Sequence, residues 1–139
     1  MKKTFDRKQP PALVLSCHTM GLGVIRALGM MGAPVVAVSY EDKDMGQVSR
    51  YVRERLLVPH PEKDEPEFVR ALLEASSRFG RGILIPADDA SLASVSRNKE
   101  KLAQAYEVAC VEWSVTERFI DKKNTYALAE SIGIPSPKT

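Results

Sequence analysis

Cysteine and histidine are scarce, two of each in 139 residues, which leaves no disulfide framework and no metal-ligand set at a familiar spacing. Cys17 and Cys110 sit within or at the ends of apolar runs, not in turn-rich loops, as reduced thiols do. No apolar run approaches the roughly 20 residues that cross a bilayer. No signal-peptide pattern opens the chain, so a cytoplasmic protein without membrane contact is expected. Charge of one sign is also lacking: 20 basic against 18 acidic residues leave a net charge of +2, too little for broad attraction to nucleic acid. The basic cluster Lys2, Lys3, Arg7 and Lys8, ahead of Pro10 and Pro11, reads as a mobile tail over residues 1–11. Internal repeats and low-complexity tracts are missing too.

What the chain does have is alternation. Short apolar runs at Ala12 to Leu15, Val35 to Val38, Arg55 to Val58, Ile83 to Ile85 and Val108 to Val111 are separated by helical patterns. Runs that are apolar on both faces suit a parallel sheet covered on each side by helices. The expected fold is therefore α/β, a three-layer Rossmann-like domain with a mainly parallel five-stranded sheet over residues 12–116. The first connection reads as a helix from Gly23 to Met31, stopped by Gly32 and Pro34. The third starts more clearly, with Asp64 as N-cap, Pro66 in the first turn, Glu67 three residues after the cap, and Gly80 closing it. Right-handed crossovers place all strand C-terminal ends on one edge, where open α/β sheets bind ligands.

Four loops reach that edge, at residues 16–23, 40–46, 59–63 and 86–89. In the first, Gly21 and Gly23 precede a helix whose N-terminal amides suit a phosphate or carboxylate. A dinucleotide fingerprint needs a third glycine where Arg26 stands, although Glu41 lies where a ribose-binding acid belongs. Cys17 and His18 are adjacent and so point apart, which makes them poor catalytic partners. Cys17 reads as a small residue closing a strand, and His18 as a candidate hydrogen-bonding contact to a ligand. With a strand order of 3-2-1-4-5, Asp88 and Asp89 flank the switch point. One of them caps the following helix, and either is placed to meet a substrate amine or hydroxyl.

The segments GLGVIRALG, ILIPADDASLASVSRNKEKL and, above all, IDKKNTYALAESIGIPSPKT give the whole chain a resemblance to the N-terminal, pre-ATP-grasp domain of ATP-grasp enzymes. The last string is similar to the entry into the ATP-grasp fold in the carbamoyl-phosphate synthase large subunit, biotin carboxylase and carboxylate-amine ligases. The resemblance implies a chemistry in which ATP phosphorylates a small carboxylate or amino acid and an amine displaces the phosphate, with Mg2+ and basic side chains steadying the transferred group. It implies that Lys122, the lysine of the DK motif, reaches toward nucleotide phosphates. It also implies that residues 117–139 are a linker and first helix leading into an ATP-grasp domain this chain lacks. ATP and Mg2+ then belong to the full-length enzyme, and the chain alone is expected to bind neither and to be inactive.

A stand-alone Rossmann-like module that binds a nucleotide or small metabolite explains the ladder but leaves the tail idle. An NAD-dependent oxidoreductase fails at Arg26 and lacks a substrate domain. Under the ATP-grasp reading, residues 119–139 lie on the surface, and exposed Phe119 and Ile120 are expected to drive self-association into a homodimer.

Overall fold

The computed structural model describes residues 9–137; the basic cluster ending at Lys8 and the terminal Thr139 lie outside them. The elements run β1 (Ala12–Leu15), α1 (Thr19–Met30), β2 (Val35–Ser39), a 3-10 turn (Met45–Val48), β3 (Val52–Leu57), α2 (Glu65–Phe79), β4 (Ile83–Pro86), α3 (Asp89–Arg97), α4 (Lys99–Ala103), β5 (Glu107–Val108), α5 (Trp113–Ile120) and α6 (Lys122–Ser131). The five strands form one sheet in the order β3-β2-β1-β4-β5, and every pairing is parallel. The α/β three-layer expectation therefore holds, with the strand order that puts the switch point between β1 and β4.

Burial follows sheet position. All residues of β1 and β2 are buried, as strands covered on both faces must be. Edge strand β3 alternates half-buried and exposed residues, because its outer face meets water. It begins at Val52, earlier than the apolar run at Arg55 suggests, since Arg53 and Arg55 are, with Leu57, its exposed positions. The other edge, β5, ends after two residues, so Ala109 to Val111 continue as loop and not as the expected strand.

The period of two along β1 and β2 divides the core. Val14, Val35 and Ala37 face α1 through Ile25, with Val24 and Leu28 at the margin. Leu13, Leu15, Val36 and Val38 face Phe68, Leu72, Val95, Leu102 and Tyr106 on the opposite side. Tyr106 is fully buried, and its hydroxyl donates to the Leu72 carbonyl at 2.6 Å, which satisfies the one polar atom that burial would otherwise strand.

Helix signals are mostly met. Asp64 accepts from the Glu67 amide at 3.1 Å, and Gly80 ends α2 at a φ of 80°. α1 closes with Gly32 at φ 82°, where the Ala33 amide returns to the Leu28 carbonyl in a Schellman arrangement. Gly133 repeats this after α6, with the Ile134 amide on the Ala129 carbonyl. The C-terminal segment differs from the expected single helix. Two helices, α5 and α6, meet at Asp121, which accepts from the Lys123 amide at 2.9 Å, and the expected boundary between residues 116 and 117 falls inside α5. α5 packs on α3 and α6 packs on α5. α6 buries no residue, and Phe119 is 59% exposed, so this segment lies on the surface. Among the described residues no helix is long and apolar enough to cross a membrane.

Candidate functional site

The edge of the sheet at the strand C-termini is built by the exits of β1, β2 and β4. Ser16 leaves β1 with φ at +76°, a left-handed conformation that is uncommon for a residue with a side chain. That turn lets α1 begin at Thr19, four residues before the start expected at Gly23. Gly21 and Gly23 therefore lie inside the first turns of the helix and not in a loop ahead of it. Their roles separate. A Cβ on Gly21 would sit 1.9 Å from the Ser16 carbonyl oxygen, so only glycine lets α1 lie this close to the β1 exit. Gly23 has open space around it, and no steric reason for glycine appears there.

His18 is the N-cap of α1, but its side chain makes no capping bond and the first turn holds no acid. The Leu22 amide bonds back to the His18 carbonyl at 2.8 Å, leaving the amides of Thr19, Met20 and Gly21 as the free donors of the helix start. Beside them, His18 Nε2 lies 3.4 Å from Asp44 Oδ1. The His18 side chain is 61% exposed and that of Asp44 only 2%. The other Asp44 oxygen, Oδ2, is buried without a partner. The 3-10 turn holds Asp44 in place, since the Gly46 amide donates to the Cys17 carbonyl at 2.8 Å and Gln47 Nε2 to the Glu41 carbonyl at 2.6 Å.

Cys17 is buried and donates to the Val38 carbonyl at 3.4 Å. Burial pushes its thiol up to about 11, the Ser39 hydroxyl pulling slightly down and the Asp44 charge adding to the rise. A thiol so protonated is no nucleophile at neutral pH, which agrees with its reading as a strand-closing residue. Cys110 also titrates high, chiefly through burial.

The β4 exit reaches the same place. The Ala87 amide bonds to the Leu15 carbonyl at 3.0 Å, and Ala87 Cβ is 3.7 Å from where a Cβ on Gly21 would be, so the first and fourth loops touch. Asp88 is the N-cap of α3. Its Oδ1 accepts from the Ser91 amide at 2.9 Å and the Ser91 hydroxyl at 2.5 Å, and from Tyr40 Oη at 3.4 Å. Burial and the Asp88 charge hold the Tyr40 phenol protonated, and its ring meets His60 edge-on at 4.9 Å. Asp89 is exposed and borders an apolar groove of about 300 Å3 with Leu92, Cys110, Phe119 and Ile120.

Of the residues singled out by sequence, His18, Gly21 and Asp88 thus gather around the β1–β4 switch point. Asp89 is at its rim, Gly23 further along α1, and Lys122 on exposed α6. Sequence reasoning missed Asp44 and Tyr40. Asp44 lies in the charged run Glu41-Asp42-Lys43-Asp44, which gives no sign that only its last member is buried. Among the described residues no three His, Cys, Asp or Glu side chains gather as a metal site.

An all-parallel sheet of this order, with a helix N-terminus at the switch point, defines a Rossmann-like domain. No protein-family model matches the chain. A curated relative, the D-aspartate ligase of Enterococcus faecium (strain Aus0004), is 28% identical over 88 residues, which cover 60% of this chain and 21% of the relative. The L-amino acid ligase of Bacillus licheniformis shares the fold with a TM-score of 0.71 at 14% identity, over 95% of this chain and 32% of that one. The N5-carboxyaminoimidazole synthetase of Staphylococcus aureus, solved with ADP, gives 0.64 at 12% identity over 89% and 30%. These proteins are ATP-grasp superfamily enzymes, and the fold matches the pre-ATP-grasp domain resemblance carried by the sequence. The chain spans about a fifth of the curated relative's length and about a third of the structural neighbours'.

Proposed function

We propose that this chain is the N-terminal, substrate-side domain of an ATP-grasp carboxylate-amine ligase. The observation that carries the reading is the coincidence of a fold match with an open helix start. The fold agrees with an L-amino acid ligase over 95% of the chain, and the uncapped N-terminus of α1 opens at the switch point, where a small carboxylate is best received. When bound, ATP with Mg2+ would supply the energy to turn that carboxylate into an acyl phosphate open to an amine. In this reading the Thr19 to Gly21 amides hold the substrate carboxylate, and Gly21 keeps the helix start close enough to do so. Asp88 shapes the adjoining wall, with Asp89 at the rim. Lys122 serves as a point charge for nucleotide phosphate. The ATP-grasp lobes and the magnesium carboxylates are assigned to a longer protein of which residues 12–116 form the first domain and 117–139 the passage into the next.

The closed core of β1 to β5, complete without α6, favours one other reading: a stand-alone module that binds a small metabolite without catalysis. The mass of the native protein in its source cells, with ATP-dependent phosphate release by both species, separates the two. A native species well above 15.4 kDa that releases phosphate in the presence of an amino acid, beside an inert 139-residue chain, is the expected result. Phosphate release by the pure chain that survives exhaustive repurification would overturn the domain reading, and a native species of the same mass would favour the module.

A further inference from the structure

Methionine is ordinarily an interior residue, yet every methionine among the described residues is more than half exposed: Met20 at 67%, Met30 at 69%, Met31 at 83% and Met45 at 51%. All four belong to α1, the residue that caps it, or the 3-10 turn. Met30 and Met45 line a groove of about 550 Å3 with Leu22, Val48, Arg26 and Arg50, and Val48 is itself largely exposed. A second hollow, of about 230 Å3, shares Arg50 and Tyr51 with the first and continues to Arg53. Arg55 follows on the same side of the sheet, since it pairs with Ala37, which faces α1.

Charge singles this surface out. Elsewhere Arg70, Arg78, Arg81 and Arg97 each hold a glutamate. Arg26, Arg50, Arg53 and Arg55 hold no carboxylate among the described residues, and the exposed acids of the neighbouring loop, Glu41 and Asp42, pair with none of them. Arg50 donates to the Tyr51 hydroxyl at 2.8 Å. Of the other described arginines only Arg118, on α5, is without a carboxylate. Guanidinium groups around exposed thioethers make a surface that is apolar and cationic at once.

We propose that this face of α1, the 3-10 turn and β3 is a docking surface for another protein, which presents an amphipathic helix with carboxylates flanking its apolar side chains. Thioethers adapt to the shape of what they cover, and a helix laid in a groove is a recurrent way to bury such a stripe. Guanidinium forks bind carboxylates through two parallel hydrogen bonds. Charge and shape decide against other occupants. A second copy bound about a twofold axis would set the patch against itself, arginine against arginine. A nucleic acid would engage the arginines but leave Met30, Met45 and Val48 in water, and a groove suits a ridge of side chains better than the flat surface of a bilayer. None of these residues belongs to the proposed ligand site, so the ligase reading stands or falls without this surface.

The test follows the methionine methyls and backbone amides of the 139-residue chain by NMR. The probes are a synthetic amphipathic helical peptide with leucine along one face and glutamate on its flanks, the same peptide with lysine for glutamate, phosphatidylserine vesicles and oligouridine RNA. The glutamate peptide is expected to shift the Met30 and Met45 methyls at a concentration about tenfold below that of its lysine counterpart. Arg26→Gln together with Arg50→Gln should remove that preference. Met30→Gln together with Met45→Gln should weaken binding about tenfold, read at the Val48 amide. Arg118→Gln should change nothing. All of these positions except Arg118 line or border the groove, and all are exposed, so amide spectra of the variants should otherwise match the parent chain. A glutamate peptide no better than the lysine one, or a preference that survives the paired arginine substitutions, overturns the proposal. So does tighter binding of the vesicles or the RNA through the same methyls, or a shift of those methyls on concentrating the chain alone, which would give the face to a membrane, a nucleic acid or a second copy.

Discussion

Two aspartates stand at the C-terminal edge of the sheet, Asp44 beyond β2 and Asp88 beyond β4, and the fold treats them in opposite ways. Asp88 is half-buried and well partnered through one oxygen: one amide, one serine hydroxyl and one phenol converge on Oδ1. Asp44 is more deeply buried and nearly unused, with a single long contact to an exposed histidine. The difference teaches where structure ends and binding begins. A polar group whose partners are all internal holds the scaffold together, whereas one buried at a cost and left short of partners lowers stability unless something else satisfies it.

The largest effect that can be set against this comparison is at Gly21, where α1 starts against the β1 exit. Gly21→Val is expected to destabilise the chain by about 3 kcal/mol in urea unfolding, because its Cβ would overlap the Ser16 carbonyl and the helix start must move. A loss below about 1 kcal/mol would mean that α1 is not seated this tightly.

The pair itself comes next. Asp88→Ala should cost about 1–2 kcal/mol through the lost helix cap, whereas Asp44→Asn should be neutral or mildly stabilising, since it removes a poorly compensated buried charge. Equal losses at both positions would break the comparison.

The last effect is pH-dependent, is confined to alkaline solution and lies at Cys17, just past the end of β1. Its thiol ionises at 9.0 when exposed and at about 11 when folded, so above pH 9 the unfolded chain releases a proton that the folded chain retains. Stability should fall as pH rises from 9 to 11 and level off beyond. Cys17→Ala should flatten that part of the profile measured by denaturant unfolding, leaving the contributions of the buried tyrosines.

Much of the fold was legible because its signals are local. The cap, proline and closing glycine of α2 lie within the helix they delimit, and β1 and β2 announce themselves by being apolar on both faces. The strand order follows from chain alternation and crossover handedness. Where reading failed, long-range packing decided. Gly21 and Gly23 resemble loop residues by type, and only the approach of Ser16 to α1 shows that the helix already encloses them. The run from Val108 to Val111 is apolar enough for a strand, but as the outer edge it pairs for two residues and then turns toward Trp113, starting a helix that was not foreseen. Asp44 is indistinguishable from its charged neighbours until the 3-10 turn folds it under His18. Of the proposed site, the sheet edge and the start of α1 near it could be placed from the sequence, whereas the buried carboxylate of Asp44 could not.

The place of β1 in the sheet sets the tempo of folding. Its two neighbours are β2, which follows closely in the chain, and β4, whose Ile83 pairs with Ala12 from about seventy residues away. During synthesis the first half can close β1, α1 and β2 while the amides and carbonyls along one edge of β1 stay unpaired, and the contact that covers them is among the least local in the domain. Until residue 86 leaves the ribosome, that open edge is where the nascent chain is most exposed to mispairing and most in need of a chaperone.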